Sequence, residues 1–135
     1  MRILLFLLLF VSSGAFAGDQ TTVANLTVKS GKSILLGSGF WSIDYDSCRF
    51  IELKMETLVE PQLGRIAAQM INGKIPAQAT GEATNPQCVG LPIKALRLTY
   101  TANKNAKGTD RVLIKTIQVN WDRNAFIFDY NITVE

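Results

Sequence analysis

The sequence predicts an all-β fold, an antiparallel sandwich closed by one disulfide. Three observations predict it. Apolar and polar residues alternate with period two through most of the chain. Breaks rich in Gly, Pro, Asn and Asp interrupt that alternation at short intervals. No segment carries the 3.6-residue period of an amphipathic helix.

The first residues, MRILLFLLLFVSSGAFAGDQ, are a different kind of segment. Arg2 supplies a positive start, Ile3 to Val11 form a continuous apolar run, and Ala15-Phe16-Ala17 fits an A-x-A cleavage site. Nine apolar residues span about 13 Å as a helix, less than half of a ~30 Å hydrocarbon core. The segment is therefore expected to be a signal peptide, residues 1–17, with the mature chain at residues 18–135 and beginning at Gly18. No comparable run follows, so no membrane span is expected after cleavage. The expected location is periplasmic or extracellular.

The mature 118 residues suit one domain with a real core. Loss of Arg2 lowers the net charge from +3 to +2. That balance is too weak, and its cations too scattered among Asp and Glu, to imply nucleic acid. Cys48 and Cys88 are expected to form a structural disulfide in an oxidising compartment. A redox pair would favour C-x-x-C, and a zinc site would need further Cys or His ligands. The chain has no histidine.

The elements read in order as follows. "ANLTV" puts Ala24, Leu26 and Val28 on one strand face, and Ser30-Gly31-Lys32 and Gly37-Ser38-Gly39 follow as turns. "RFIELKME" sets Ile51, Leu53 and Met55 against Glu52, Lys54 and Glu56. Pro61-Gln62-Leu63-Gly64 turns into "RIAAQM", where Ile66, Ala68 and Met70 share a face, and Asn72-Gly73 reads as the next turn. Lys74 to Gln87 lacks an apolar pattern and is expected to be the longest loop or an irregular edge. "ALRLTY" aligns Leu96, Leu98 and Tyr100, and Asn105 to Asp110 reads as a loop. The phase then breaks between Val112/Ile114 and Ile117/Val119/Trp121. Either a β-bulge near Lys115-Thr116 or a crossing between sheets would account for it. After a turn at Asp122-Arg123-Asn124, "AFIFDYNITVE" places Phe126, Phe128, Tyr130, Ile132 and Val134 on one side and Asp129, Asn131 and Thr133 on the other. Seven or so short strands at this spacing predict a sandwich of immunoglobulin-like type.

The motif Tyr100-Thr101, a short polar stretch, then Gly108-Thr109-Asp110 before an apolar strand resembles bacterial immunoglobulin-like and cadherin-like repeats. Pro61-x-x-Gly64 resembles a turn of the same repeats. Cys48 with Cys88-Val89-Gly90 resembles a group of small, secreted, single-domain proteobacterial proteins of this type. Ala102, Ala106 and Leu63 depart from the residues favoured there, which are Pro, an aromatic and His. The resemblance implies an adhesive or structural module with no catalytic machinery.

Gly108, Thr109 and Asp110 are expected to form a structural turn, Gly108 taking φ > 0 and the other two hydrogen-bonding backbone. The competing reading makes Lys104, Lys107 and Arg111 a cationic loop tip for an anionic partner.

Catalytic chemistry finds little support. Without histidine, Ser-His-Asp and Cys-His nucleophiles and HExxH zinc sites are excluded. Glu52 and Glu56 would lie about 13 Å apart along a strand, too far for a glycosidase pair. Asp44-Tyr45-Asp46 has the D-x-D opening of calcium loops, but Cys48 and Arg49 stand where an EF-hand needs Asp or Asn and then Gly. No metal and no cofactor is expected. Asn25-Leu26-Thr27 and Asn131-Ile132-Thr133 match the glycosylation sequon inside expected strands, which makes the match coincidental. Among Phe40, Trp41, Tyr45 and Trp121, a surface aromatic patch competes with core packing. Trp41 is expected in the core beside the disulfide, and Trp121 is left open. The expected role is a non-enzymatic binding or structural module whose partner is another protein or an envelope component. The alternative is an inhibitor of a cell-wall or secreted hydrolase.

Overall fold

The computed structural model describes residues 20–37, 39–79, 82–119 and 125–135. The expected signal peptide, Trp121 and the Asp122–Asn124 turn lie outside them. Nine strands follow the chain: β1 Gln20–Val28, β2 Ser33–Leu35, β3 Leu53–Val59, β4 Gly64–Lys74, β5 Gln78–Ala79, β6 Glu82–Ala83, β7 Pro92–Ala102, β8 Gly108–Gln118 and β9 Ala125–Val134. No helix occurs among the described residues.

Two sheets form the sandwich, one ordered β1-β9-β8-β3 and the other β2-β7-β4; β5 and β6 make a separate small hairpin. The fold class is as expected. Leaving β1 aside, the order β9-β8-β3 against β2-β7-β4 is the connectivity of immunoglobulin sandwiches. One pairing departs from a purely antiparallel sandwich: β1 runs parallel to β9, from Gln20 opposite Phe126 to Val28 opposite Val134.

The core lies where the alternating faces meet. Leu98 and Tyr100 of β7, Val112 and Ile114 of β8, and Tyr130, Ile132 and Val134 of β9 are buried together. Each such aliphatic side chain contributes about 1.5–3 kcal/mol by leaving water. Phe40 crosses from the β2–β3 connection to meet Phe128 edge-on at 4.7 Å, and Phe128 stacks near Tyr130. The Tyr130 hydroxyl donates to the Leu36 carbonyl at 3.4 Å, joining β9 to the end of β2.

Four expectations need correction. Asn72-Gly73 is not a turn, because both residues continue β4 opposite Lys94 and Ile93. β4 also takes in Lys74, so the irregular segment begins one residue later. Ala68 and Met70 share parity with Ile66 but are exposed, since they lie on the edge strand of its sheet. β8 carries no bulge and does not change sheets. It pairs with β9 throughout, and the register shift falls on its partner β3, between Thr57 and Val59. Asp110, Val112, Ile114 and Thr116 keep one unbroken inward phase, so Ile117 and Val119 belong to the other face.

A second, smaller core lies at the far end. Ile75, Cys88 and Ile93 are buried with Trp41, Ile43 and Cys48 packed against them. Ile93 and Ala95 have the parity opposite to Leu98 and Tyr100, so the covered side of β7 switches at this end, where Pro92 and Lys94 are exposed. The Cys48–Cys88 disulfide, with Cα atoms 5.3 Å apart, lies within this cluster.

Candidate functional site

β7 runs the length of the sandwich, about 33 Å for its 11 residues. The two loops that follow from its ends, residues 75–91 and 103–107, therefore lie at opposite poles and cannot share a site.

At the 103–107 pole the motif residues converge on one buried carboxylate. Asp110 is 6% exposed. It accepts the amides of Gln62 and Leu63 at 2.9 Å each, the Arg111 amide at 3.0 Å and the Tyr100 hydroxyl at 2.7 Å. Burial alone would raise its pKa, but the Gln62 amide, the Tyr100 hydroxyl and the other amides outweigh it and hold the carboxyl below the usual aspartate range. The same contact raises the Tyr100 pKa, burial being the larger cause. Gly108 has φ of +128° and Asn105 has +65°, so the turn does use left-handed positions. Gly108, Thr109 and Asp110 themselves open β8. Asp110 braces the 61–64 turn rather than its own loop.

Gly64 is the close approach that the brace requires. A Cβ there would lie 2.5 Å from the Thr101 carbonyl oxygen and 2.6 Å from Tyr100 Cζ. Gly64→Ala must push β4 off β7 or displace the Tyr100 ring. It should lower stability by roughly 1–3 kcal/mol in urea unfolding and alter the near-UV tyrosine signal.

The three cations of the expected tip do not act together. Arg111 is held on the sheet face by Asp129, with Nε and Nη2 donating to its two oxygens at 2.9 Å each. Hydrogen bonding and charge from Arg111 lower the Asp129 carboxyl, and Asp129 raises the guanidinium in turn. Lys104 and Lys107 are exposed in the turn. That turn is tied down by Gly31 N donating to Asn103 O, by Asn103 N donating to Leu63 O, and by the Ser30 hydroxyl donating to Ala106 O. Beside Arg111 lies a shallow depression of about 420 Å³, lined by Asn25, Val59, Glu60, Gln62, Asn131 and Ile132 among others. The two sequon asparagines meet here, Asn131 Nδ2 donating to Asn25 Oδ1 at 3.2 Å across the parallel pair. The depression has no aromatic platform and no nucleophile paired with a base.

The disulfide pole differs. Tyr45 (60% exposed), Phe50 (45%), Val89 (42%) and Leu91 (42%) are four of the eight exposed large hydrophobic residues of the described chain, and all lie on the two loops joined by Cys48–Cys88. Their backbones are fixed. Asn85 Nδ2 donates to Tyr45 O at 2.8 Å, and Ile43 bridges Phe50. Cys88 N donates to Asn85 O, Gly90 N to Ile75 O, and Ile75 N to Leu91 O, each within 3.0 Å. Asp44, which opens the D-x-D sequence, accepts the Asp46 and Ser47 amides at 2.9 and 3.3 Å, and these bonds, Ser47 first, lower its pKa. No cluster of three metal-ligating groups occurs among the described residues.

Of the described members of the aromatic group, Phe40 is core, Trp41 packs against the disulfide cluster and Tyr45 alone is exposed. Glu52 and Glu56 are both exposed, on either side of Lys54. Sequence reasoning passed over Phe50, Val89 and Leu91. The available signal was an apolar residue on each side of Gly90 in a loop already pinned by Cys88. No protein-family model and no curated protein matches the chain.

Proposed function

We propose that this chain is an exported, non-catalytic binding module of immunoglobulin-like type that contacts a protein or envelope component through its disulfide-stapled loop end. One observation carries the reading: Tyr45, Phe50, Val89 and Leu91 are presented to solvent on two covalently joined, hydrogen-bonded loops. Apolar side chains exposed on a fixed frame lose little entropy on binding, and loops on a rigid sandwich are where such domains carry recognition. The disulfide is compatible with a periplasmic or extracellular location, and the first 17 residues support export. Membership of the small secreted immunoglobulin-like or cadherin-like group is part of the proposal. It is supported by the meeting of Pro61–Gly64, Tyr100 and Asp110 at one brace.

The test compares three mature proteins as bait in periplasmic extract: wild type, Tyr45→Ser/Val89→Ser and Lys104→Ser/Lys107→Ser. The wild type and the lysine variant should retain the same partner, while the loop variant should bind it at least about tenfold more weakly, or ~1.4 kcal/mol. Equal retention by the loop variant, or loss confined to the lysine variant, would move the site elsewhere.

The inhibitor reading rests on the β5–β6 hairpin within the same stapled loop, where Gln78 pairs with Ala83 and Ala79 with Glu82. A short, covalently anchored hairpin suits entry into a cleft. Stoichiometric loss of muramidase activity in a cell-wall turbidity assay would favour it over a purely adhesive role.

A further inference from the structure

β4 is an unguarded sheet edge. Among the described residues it pairs only with β7, in unbroken register over all 11 positions. The direction of its backbone groups follows from its neighbours. Leu63 O accepts Asn103 N at one end of the ladder, and Ile75 N donates to Leu91 O at the other. On the opposite side of β7, Leu36 N donates to Leu98 O, Leu96 exchanges bonds with Phe40, and Ala102 N donates to Lys32 O. Even-numbered residues of β7 thus face β2, and odd-numbered ones face β4. By antiparallel alternation Arg65, Ala67, Gln69, Ile71 and Gly73 bond to β7. The amides and carbonyls of Gly64, Ile66, Ala68, Met70 and Asn72 point to the free edge.

Two of the other three edges carry protection that β4 lacks, while β1 is likewise uncharged but two residues shorter than β4. β2 is three residues long, and β3 has a register shift and charges at Lys54 and Glu56. Between Arg65 and Lys74, β4 has no proline, no charge and no shift.

We infer that β4 is the interface for a second copy of this chain, paired antiparallel to itself about a two-fold axis at Ala68. The residue pattern is self-complementary in that register. Ala68 meets Ala68, each Ile66 lies opposite the other chain's Met70, and Arg65 lies opposite Ile71, so no like charges face each other. Every bonded pair in the register joins residues whose backbone groups point outward. Met70, 55% exposed on the same side of β4 as the core residue Ile66, gains an apolar neighbour. The pairing joins two three-stranded sheets into one of six strands. Each disulfide pole stays outside the pairing.

Sedimentation equilibrium of the mature protein from about 1 to 500 μM is the test. The wild type should show a reversible monomer–dimer equilibrium. Ala68→Pro removes an amide that β7 does not use, so it should abolish the dimer while leaving the far-UV spectrum unchanged. Ala68→Lys sets two ammonium groups across the axis. It should weaken the dimer at least tenfold at low salt and recover part of that loss at high salt. A wild type that stays monomeric throughout overturns the inference. So does a dimer that survives both substitutions, or one abolished instead by Tyr45→Ser/Val89→Ser.

Discussion

Asp110→Ala should destabilise the domain by roughly 3–5 kcal/mol, measured as the loss in urea unfolding free energy. The carboxylate accepts four hydrogen bonds, from the amides of Gln62, Leu63 and Arg111 and from the Tyr100 hydroxyl. Tyr100 is fully buried at 0% exposure, so its hydroxyl has no water to replace the lost acceptor. An unpaired buried donor costs about 1–3 kcal/mol, and the amides of the 61–64 turn add to that. Asp110→Asn retains one acceptor oxygen but loses the charge and turns an amide group toward donors. It should cost roughly 2 kcal/mol. Tyr100→Phe removes the donor together with its need for a partner and should cost about 1 kcal/mol. A double-mutant cycle on Asp110 and Tyr100 then reads their coupling directly. A loss below about 1 kcal/mol for Asp110→Ala would show that the brace is dispensable.

The same group sets the acid limit of stability. The folded-state pKa of Asp110 is lowered, so its contribution is fully present above the ordinary aspartate pKa of about 3.9 and is lost as pH falls below that value. Tyr100 and Tyr130 act at the other limit. Both pKa values are raised, that of Tyr130 to about 12 by burial. The stability these hydroxyls contribute is whole below pH ~10 and lost above it, as the unfolded chain releases protons that the folded one retains. Wild type should therefore show a plateau between about pH 4 and pH 10, and Asp110→Asn should lose its steep acid flank.

How much of this was legible in the residues depends on how local each cause is. β9 could be read outright, because Tyr130, Ile132 and Val134 are buried while Asn131 and Glu135 stay wet. Asn72-Gly73 carries the local signature of a hairpin, yet a Cβ on Gly73 would meet nothing nearer than 3.9 Å, and pairing with β7 carries the strand through. In β8 a threonine occupies a core position. Thr116 is 3% exposed and donates to Phe126 O at 3.5 Å, so the inward phase continued where the apolar pattern stopped. The switch of the buried side along β7 was invisible, since the cover over Ile93 comes from residues 41–48, 75 and 88. The brace was half legible. Its motif residues stood out, but that Asp110 serves the 61–64 turn depends on two sheets meeting. The loop end was the least legible, because exposure of Phe50, Val89 and Leu91 is a property of the packed molecule and not of the segment.

Replacing Cys48 and Cys88 together by serine should cost roughly 2–5 kcal/mol and loosen residues 75–91 before the rest of the sandwich. The bridge closes a sequence separation of 40 residues, which in the chain-entropy model is worth about 4 kcal/mol through the unfolded state. The folded state adds to this, because Cys88 is 0% exposed and a serine there places a hydroxyl among Ile75, Ile93 and Trp41. The loop also has an anchor that its composition conceals. Ile75, 2% exposed, bonds through its own backbone to Gly90 and Leu91, so opening the bridge leaves the two ends of the segment tied to each other. Cys48 sits in a left-handed conformation at φ +59°, which is unfavourable for a residue with a Cβ, and the bridge helps hold it there. Amide exchange should consequently speed up first at residues 44–50 and 82–89, while β8 and β9 keep their protection. The loss should reach recognition as well, since Tyr45 and Val89 would no longer share a fixed frame. Thiol titration of the denatured wild type, with and without reductant, verifies the bridge. Two reactive thiols before reduction would refute it, and a double-serine variant within about 1 kcal/mol of wild type would refute its weight in the fold.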